Sequence, residues 1–530
     1  MGWNIYIEIK IMNCKGKILW VDDEIDLLKP HIMYLENKGY TVVPVHSGED
    51  AIHLTQEDSF DLVLLDEMMT GLDGLTTLKY IKEIDPNIPV IMITKNEEES
   101  LMEEAIASHI TNYLTKPVNP SQILIACKNI LETKKIQSDS AAQGYLKDFQ
   151  DIGEKISSAE KLEDWYDINH RLTDWMVRFD SLGDQGLGEI LNEQHSEANR
   201  QFSTFIEREY ENLIGENSNA ITSPKILDAY VMPYLKEAKD VVLIVIDCLR
   251  VDQWKSLEKL LYGSFNIRTD FHLSLLPTAT PFSRNAIFSG LYPDEFPKKF
   301  PDQWGKMIRD ETSMNRYESD FLRAYLQRKN LSQISMNYTK VITPEDGQKF
   351  ANHINEYKNT NLLALVVNFV DMLGHSRSES NVLKEMIPDE SAYRKVVCSW
   401  MEQSWLKDVF EQISEWDKTV ILTSDHGSIR VKKPVQVKGD RETSDGIRYK
   451  YGKNLHVSSK VAMKIDSPAN FRLPVIDGAT DYILSKDEYY FLYPNNYNRF
   501  ARRYENSFQH GGISMDEMIV PVGILTGKGK

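Results

Sequence analysis

The chain has 530 residues, which is too long for one hydrophobic core and predicts two to four domains. Its hydrophobic content of 42% and charged content of 26% are those of a globular protein, and no apolar run approaches the roughly 20 residues that span a bilayer, so membrane insertion is not expected. The formal net charge of −18 argues against a broad DNA-binding surface, and without a recognition helix we expect no direct binding to promoter DNA.

The four cysteines, Cys14, Cys127, Cys248 and Cys398, lie far apart and lack the paired spacing of a metal-binding motif. This usage is typical of free thiols in a reducing compartment and predicts a cytoplasmic protein. The first 12 residues alternate apolar and polar side chains. They are either an added strand or a segment ahead of a true start at Met12, and both interpretations stay open.

The first domain, assigned to residues 13–134, alternates short apolar strands with amphipathic helices. The strands are predicted over 17–21, 41–45, 62–65, 90–94 and 112–115. The helices are predicted over 24–38, 49–57, 74–84, 98–108 and 120–133. Such an alternation indicates an α/β domain with a flavodoxin-like, doubly wound parallel sheet that has helices on both faces.

Polar residues stand where these strands end. Asp22 and Asp23 follow the first strand, Asp66 the third and Lys116 the fifth, while Thr94 ends the fourth. Sites in such sheets lie beyond the carboxyl ends of the strands, so these side chains are expected to meet. Three carboxylates can hold Mg²⁺ through oxygens alone, and one of them can then attack a phosphoryl group.

The domain resembles the receiver domain of two-component response regulators, through Val21-Asp22-Asp23-Glu24, Leu64-Leu65-Asp66, Asp73-Gly74 and Lys116-Pro117. The resemblance implies a sensor histidine kinase as partner and phosphorylation of Asp66. It also implies Asp22, Asp23 and Asp66 as Mg²⁺ ligands and Thr94, Tyr113 and Lys116 as the switch residues. Thr70 replaces the family's usual proline, which loosens the loop without changing the phosphate chemistry.

Residues 135–220 are predicted to form a helical connector. Apolar residues recur there at spacings of three, four and seven, and no proline interrupts residues 134–220. The pattern fits a bundle of about three amphipathic helices that serves for packing and spacing. His170 and His195 are interpreted as surface residues of these helices.

The large domain, assigned to residues 221–530, is again predicted to be α/β. Apolar strands are predicted over 241–246, 362–370 and 419–423, and they end at or just before Asp247, Asp371 and Asp425. Runs this apolar suit buried parallel strands, so the three carboxylates are expected at one edge of one sheet.

Histidines complete a donor set that suits zinc. His426 follows Asp425 directly, His375 lies four residues after Asp371, and His510 precedes two glycines. Asp oxygen and His nitrogen are ordinary zinc ligands. Thr280 is expected to be the N-cap of a helix that opens at Pro281, facing free N–H groups that suit an anion. Thr278 is the competing hydroxyl.

These segments resemble the alkaline phosphatase superfamily, close to its PglZ-type branch and similar to nucleotide pyrophosphatases/phosphodiesterases. The resemblance rests on Ile246-Asp247, Pro277-Thr278-Ala279-Thr280, Asp371-Met372-Leu373-Gly374-His375, Asp425-His426-Gly427 and His510-Gly511-Gly512. It implies two zinc ions: one held by Asp247, Thr280, Asp425 and His426, the other by Asp371, His375 and His510. Thr280 is then the nucleophile, and Arg284, one turn further on, a candidate contact of the phosphoryl oxygens.

A receiver joined through helices to such a domain resembles the response regulators associated with type IX protein secretion. The resulting hypothesis is a phosphorylation-controlled zinc phosphodiesterase that acts on cyclic or linear nucleotides or oligonucleotides and forms a homodimer on phosphorylation. One alternative is a signalling adaptor that dimerises and binds a secretion-system component or a sigma factor. Another is a phosphomonoesterase on the same fold.

Overall fold

The computed structural model describes residues 15–95, 110–182, 185–307, 315–439, 446–475, 480–494 and 497–528. The predictions for residues 1–12 and for a helix over 98–108 lie outside them. The chain divides into two compact units, with the division after Leu146. No helix among the described residues combines the length and apolarity needed to cross a membrane.

The first unit contains a five-stranded sheet whose predicted strands are confirmed, and only the third extends one residue further. The strands are β1 Lys17–Val21, β2 Thr41–Val45, β3 Leu62–Asp66, β4 Val90–Thr94 and β5 Asn112–Thr115. Every pairing is parallel, in the order β2-β1-β3-β4-β5. Both β3 and β4 are buried along their whole length, as expected for central strands between two helical layers.

Two of the described helices of this unit begin at a polar N-cap residue. The Ser47 and Asp73 side chains accept hydrogen bonds from backbone N–H groups in the first turn of their helices. A 3₁₀ turn, Ile25–Leu28, precedes the first α-helix, so the predicted helix 24–38 has two parts. The helices are α1 Lys29–Asn37, α2 Gly48–Glu57, α3 Gly74–Ile84 and α4 Pro120–Ser158, the last of which continues past Leu146 into the second unit.

Helix α4 differs most from its prediction. It was expected to end near residue 133, but it continues to Ser158 over 39 residues. After Pro120 at its first position the segment contains no proline, and its isolated glycines, Gly144 and Gly153, do not end it. The end of the apolar pattern at residue 133 therefore did not mark the end of the helix.

Two further helices, α5 Leu162–Leu182 and α6 Gln185–Leu213, complete the predicted connector. The Trp165 ring packs edge-on against Phe202 at a centroid distance of 5.4 Å, and Arg171 pairs with Asp151 at 2.6 Å. The predicted apolar stripes are largely buried, which confirms the amphipathic helices. The interpretation of His195 as a surface residue was wrong, because its side chain is largely buried and pairs with Asp516 at 3.2 Å.

The large domain is built on a six-stranded mixed sheet. Its strands are β6 Val241–Ile246, β7 Phe265–Leu273, β8 Met336–Val341, β9 Leu362–Val367, β10 Thr419–Thr423 and β18 Ile519–Gly527, in the order β7-β18-β10-β6-β9-β8. The four strands from β10 to β8 are parallel, and β18 pairs antiparallel with β10 and β7. All six residues of β6 are buried, and its side chains alternate between two apolar clusters.

Three small sheets form the rest of the strand structure of the described residues. Their strands are β11 Ile429–Arg430, β12 Lys433–Gln436, β13 Tyr449–Gly452, β14 Ala462–Ile465, β15 Asp481–Ser485, β16 Tyr489–Leu492 and β17 Phe508–Gln509. The sheets pair β11 with β17, β12 with β16, and β13, β15 and β14 in that order.

The described helices of the large domain cover both faces of its sheet and connect its strands. They are α7 Met232–Lys236, α8 Val251–Leu261, α9 Thr280–Ser289, α10 Phe296–Lys299, α11 Pro301–Met307, α12 Glu318–Arg328, α13 Pro344–Asn352, α14 Phe369–Glu379, α15 Asn381–Met386, α16 Glu390–Gln403, α17 Trp405–Ile413, α18 Tyr497–Tyr504 and α19 Met515–Met518.

Candidate metal centre and phosphorylation site

Three neighbouring parallel strands place the predicted carboxylates at one edge of the large sheet. Asp247 follows β6 directly, and Asp425 lies two residues beyond β10, the neighbour of β6. The predicted strand 362–370 is shorter than expected, because β9 ends at Val367 and helix α14 begins at Phe369. Asp371 therefore lies in the first turn of a helix, which places His375 one turn later on the same face.

The first cluster is completely buried. Asp247, Asp425 and His426 each offer a ligand atom, and these atoms lie within 4.8 Å of one another. His426 Nε2 is 3.7 Å from Asp425 Oδ2 and 3.9 Å from Asp247 Oδ1. The Thr280 hydroxyl lies 3.1 Å from His426 Nε2, so the four predicted ligands of the first zinc are together.

The second cluster is Asp371, His375 and His510, whose ligand atoms also lie within 4.8 Å of one another. Asp371 Oδ1 is 3.3 Å from His375 Nε2 and 3.5 Å from His510 Nε2. The two clusters adjoin, because the His426 and His510 rings stack at a centroid distance of 4.2 Å.

Backbone carbonyls define the orientation of two of the imidazoles. His426 Nδ1 lies 3.1 Å from Gly427 O, and His510 Nδ1 lies 3.2 Å from Thr278 O. Donation from Nδ1 to these carbonyls leaves Nε2 with its lone pair toward the clusters, as in metal-ligating histidines. Burial lowers the pKa of His426, and it lowers the pKa of His510 to about 3, so both rings are neutral.

The donor atoms of both clusters fit a pair of cations. Asp425 Oδ2 is buried without a hydrogen-bond partner among the described residues, and His375 Nε2 and His510 Nε2 face each other at 3.3 Å. Burial and the neighbouring carboxylates Asp425 and Asp371 raise the pKa of Asp247, although Arg284 opposes them. Carboxylate oxygens and neutral imidazole nitrogens in sets of three or four are the ligands that zinc takes in catalytic sites.

Thr280 is the first residue of helix α9, and not its N-cap as predicted. Ala279 has the extended backbone of a cap, and its carbonyl accepts hydrogen bonds from Phe282 N and Ser283 N. The competing hydroxyl has a different role: Thr278 Oγ1 donates to Gly512 O at 2.9 Å and accepts from Gly511 N at 3.0 Å. Of the two threonines, Thr280 carries the hydroxyl that points to the clusters.

Arg284 does not line an open surface where a substrate would reach it. Its side chain is buried, and it donates to Asp247 Oδ2 and Glu318 Oε1, each at 2.5 Å. The contacts of Arg284 are with carboxylates, and its predicted contact with phosphoryl oxygens stays a prediction. Arg284 is the counter-ion of the first cluster, because its guanidinium balances the negative charges of Asp247 and Glu318.

Sequence reasoning missed the residues behind the ligands. Glu318 accepts from Arg284 and from the Tyr338 hydroxyl, and the Lys340 ammonium lies 3.6 Å away. Arg448 and Glu517 form a second buried pair at 2.5 Å, and Glu517 Oε1 accepts from Gly512 N at 2.8 Å. An isolated Glu or Arg carries no motif, so composition and spacing give no signal for either pair.

In the first unit the predicted phosphorylation site is assembled at the carboxyl edge of the sheet. Oxygens of Asp22, Asp23 and Asp66 lie within 4.8 Å of one another. Lys116 Nζ is 3.0 Å from Asp22 Oδ2 and 2.8 Å from Asp66 Oδ2. Burial raises the pKa of Asp66, and the charges of Asp22 and Asp23 add to this effect while Lys116 opposes it. Three converging carboxylates of this kind can hold Mg²⁺.

The predicted switch residues lie beside this site. Thr94 is buried at the end of β4, and its hydroxyl donates to a carboxylate oxygen of Glu67. Tyr113 on β5 is 40% exposed, and its backbone lies opposite Met92 of β4. The two side chains thus belong to adjacent strands, one of them buried and the other exposed.

Comparison with known proteins assigns the three parts of the chain. Family models match residues 18–128 as "Response regulator receiver domain", residues 135–214 as "PorX response regulator linker domain" and residues 226–524 as "BREX system PglZ alkaline phosphatase-like domain". These matches agree with the predicted fold class: a receiver, a helical middle and an alkaline-phosphatase-like α/β domain.

Two curated relatives each match about a quarter of the chain. The transcriptional regulatory protein ResD of Bacillus subtilis (strain 168) is 35% identical over 115 residues, 22% of this chain and 48% of ResD. The alkaline phosphatase synthesis transcriptional regulatory protein PhoP of the same organism is 31% identical over 125 residues, 24% of this chain and 52% of PhoP. The chain spans about half the length of these curated relatives.

Among solved structures, chemotaxis protein CheY4 of Vibrio cholerae is 27% identical with a TM-score of 0.21, covering 22% of this chain and 98% of CheY4. The order of receiver, linker and PglZ domains is that of a PorX-like response regulator. Since the PglZ match covers more than half of the 530 residues, the chain belongs to the family of BREX system PglZ alkaline phosphatase-like domains.

Proposed function

We propose that this protein is a phosphorylation-controlled response regulator whose output domain is a zinc-dependent phosphodiesterase. The observation that carries the proposal is the convergence of three Asp and three His side chains, in two adjoining clusters, beside the Thr280 hydroxyl. Transfer of phosphoryl or nucleotidyl groups is the chemistry that two neighbouring metal ions and one hydroxyl suit best.

Each part of the site has its own role in hydrolysis. Thr280 Oγ1 attacks phosphorus in line and loses its proton to solvent; the bond to the leaving oxygen breaks, and that oxygen takes a proton from water. Water then cleaves the phosphothreonine ester and frees the hydroxyl. Two zinc ions, held by the two clusters, would lower the pKa of the Thr280 hydroxyl and balance negative charge on the leaving oxygen.

An aromatic cluster beside Thr280 supports nucleotide diesters as the substrate class. Phe282 contacts the half-buried Tyr449 edge-on at 5.9 Å, and Tyr449 stacks on Tyr451 at 6.4 Å. The Tyr449 ring also lies against the loop after His510, because a Cβ added at Gly511 would lie only 2.4 Å from it. Aromatic rings that contact the loop after His510 would suit stacking of a base, as in proteins that bind single-stranded nucleic acid.

The receiver provides the control. A sensor histidine kinase supplies the phosphoryl group to Asp66 with Mg²⁺ bound by the three carboxylates, and the Thr94 and Tyr113 face then favours a homodimer. The resemblance to regulators of type IX secretion extends the proposal to a cytoplasmic role in that pathway. A secretion-system component or a sigma factor would be the further partner.

Zinc analysis and turnover of an aryl phosphodiester by the full chain test the proposal. The wild type should bind two zinc ions and hydrolyse the diester faster than the corresponding monoester. Thr280→Ala should lose at least about 10³-fold of kcat, because no nucleophile remains, whereas Thr280→Ser should keep most of it. Full activity of Thr280→Ala would refute the assigned nucleophile, and a faster monoester reaction would replace the phosphodiesterase by a phosphomonoesterase.

A further inference from the structure

Helix α6 (Gln185–Leu213) of the connector carries buried polar residues one turn apart on one face. His195, Asn199 and Ser203 are spaced by four residues, and Tyr210 follows seven residues after Ser203. Asn199, Ser203 and Tyr210 are buried. Buried polar groups normally have hydrogen-bond partners, so the partners of this stripe show what the face is for.

Three members of the stripe bind the segment that follows His510. Ser203 Oγ donates to Ile513 O at 3.2 Å, and Asn199 Oδ1 accepts from Met515 N at 2.7 Å. Asn199 Nδ2 donates to Asp516 Oδ2 at 3.0 Å, while His195 Nε2 lies 3.2 Å from Asp516 Oδ1. Both the backbone and the side chain of this segment are therefore held by the connector.

The fourth member holds the segment that precedes Thr280. The Tyr210 hydroxyl accepts from Leu276 N at 2.8 Å, and its ring stacks on Phe471 at 5.8 Å. Leu276 lies four residues before Thr280. One helix of the connector thus contacts the loop of the nucleophile and the loop of a predicted zinc ligand.

The two loops also depend on each other. Thr278 Oγ1 bridges Gly511 N and Gly512 O, and Thr278 O faces His510 Nδ1 at 3.2 Å. Gly511 has a φ of +117°, a backbone angle that favours glycine. Because glycine adopts positive and negative φ about equally well, the residue itself does not fix the conformation of the loop. Contacts from helix α6 therefore help to hold the conformation of this loop, together with the hydrogen bond from Gly512 N to Glu517.

We infer that helix α6 is a positioning element of the metal centre. Asn199 would set the place of His510 through the segment 513–516, and Tyr210 would set the place of Thr280 through Leu276. This inference rests on the proposed zinc phosphodiesterase. It makes the connector a structural part of the site, beyond a spacer between two domains.

The test uses the full chain with Asn199→Leu, Tyr210→Phe and the control Gln201→Leu, an exposed position on the same helix. Zinc affinity is measured by competition with a coloured chelator, and ligand geometry by the visible spectrum of the cobalt-substituted protein. Asn199→Leu should weaken one of the two zinc ions about 10-fold and change the cobalt spectrum, as loss of a ligand's support does. Tyr210→Phe should keep two zinc ions and KM but lower kcat about 10-fold, because only the nucleophile is displaced.

Wild-type zinc affinity and cobalt spectrum in Asn199→Leu, or wild-type kcat in Tyr210→Phe, would overturn the inference while leaving the phosphodiesterase intact. A wild type that binds no zinc would remove the proposed function and the inference with it. If Asn199→Leu does not fold, Ser203→Ala removes only a hydroxyl and is judged by the same spectrum. The Gln201→Leu protein should match the wild type throughout.

Discussion

Arg284 is completely buried and has carboxylates on two sides. It donates to Asp247 and Glu318, and its Nη1 lies 3.8 Å from Asp425, while its Nη2 has no hydrogen-bond partner in the described part of the chain. Removing the water from several charged groups is costly, so each of them depends on the others for compensation. The stability of the metal-free protein therefore rests heavily on this one guanidinium.

Arg284→Met should lower the free energy of unfolding of the metal-free protein by about 3–5 kcal/mol, because it leaves buried carboxylates without their counter-ion. Urea unfolding in the presence of a chelator measures the loss. The control is the same substitution at an exposed arginine, Arg268→Met, which should change stability by less than about 0.5 kcal/mol. Equal stabilities of Arg284→Met and wild type would contradict the counter-ion role.

The positions of single residues were predictable where a motif or the end of a strand marked them. The six predicted Asp and His ligands follow apolar strands or stand next to glycine, and the structure brings them together in two clusters, although Asp371 lies in a helix and not directly after a strand. Arg284 was named from the sequence, but the direction of its side chain was not predicted. Its partner Glu318 lies 34 residues further along the chain on another helix. Pairings of this kind arise only when helices α9 and α12 pack together.

At the scale of elements, helix α6 shows how an amphipathic pattern can hide a polar contact. Apolar periodicity identified the helix and its buried face, whereas His195 was expected in solvent. Periodicity reports which face is buried and not what covers it. The same limit applies to helix α4, whose apolar stripe weakened before the helix ended, and to Asp371, which belongs to helix α14 although the strand was expected to reach it.

The His195–Asp516 pair should make stability depend on pH. Burial would lower the pKa of His195, but Asp516 and, more weakly, Glu390 raise it overall against the effect of Arg250. A raised pKa means that this contribution is present below the unfolded-state pKa of His and is lost as pH rises through the folded-state pKa. The pKa of Asp516 is lowered despite its burial, because His195 and Arg250 lie close, so its contribution is lost as pH falls from the ordinary pKa of Asp through this lowered pKa.

We therefore expect His195→Gln to destabilise the protein most between about pH 4 and pH 6.5, the ordinary pKa values of Asp and His, and less as pH rises through the raised pKa of His195. Urea unfolding at several pH values measures the difference. The control is His170→Gln, whose side chain is 40% exposed beside the exposed Asp174. A loss that stays constant across this range would show that His195 acts by packing alone.

At the scale of the whole molecule, the domain order was readable because each part has its own pattern. Five alternations of strand and helix, a proline-free helical stretch, and apolar strands with Asp at their ends predicted three successive parts, and family models match all three. The antiparallel placement of β18 between β10 and β7 could not be predicted in this way, because the apolar pattern of a buried strand is the same for either chain direction.

Phosphorylation of Asp66 should change the state of assembly. Beryllofluoride, which imitates an aspartyl phosphate, should convert the full chain to a dimer in sedimentation velocity runs, because it would draw the Thr94 hydroxyl from Glu67 toward Asp66, which Lys116 already contacts. Asp66→Asn should remain unaffected by beryllofluoride and should not be labelled by acetyl phosphate. The exposed Asp61→Asn should respond as the wild type does, and labelling of Asp66→Asn would disprove the assigned acceptor.

The two predicted zinc clusters differ in how far they are shut off from water. The His375 side chain is 53% exposed, whereas Asp425 and His426 are completely buried. On the proposed assignment the outer ion would exchange with the medium quickly and the inner ion slowly, so a chelator would strip the protein in two phases. The rate of hydrolysis would then depend on the concentration of free zinc, because the outer ion would be lost well before the inner one.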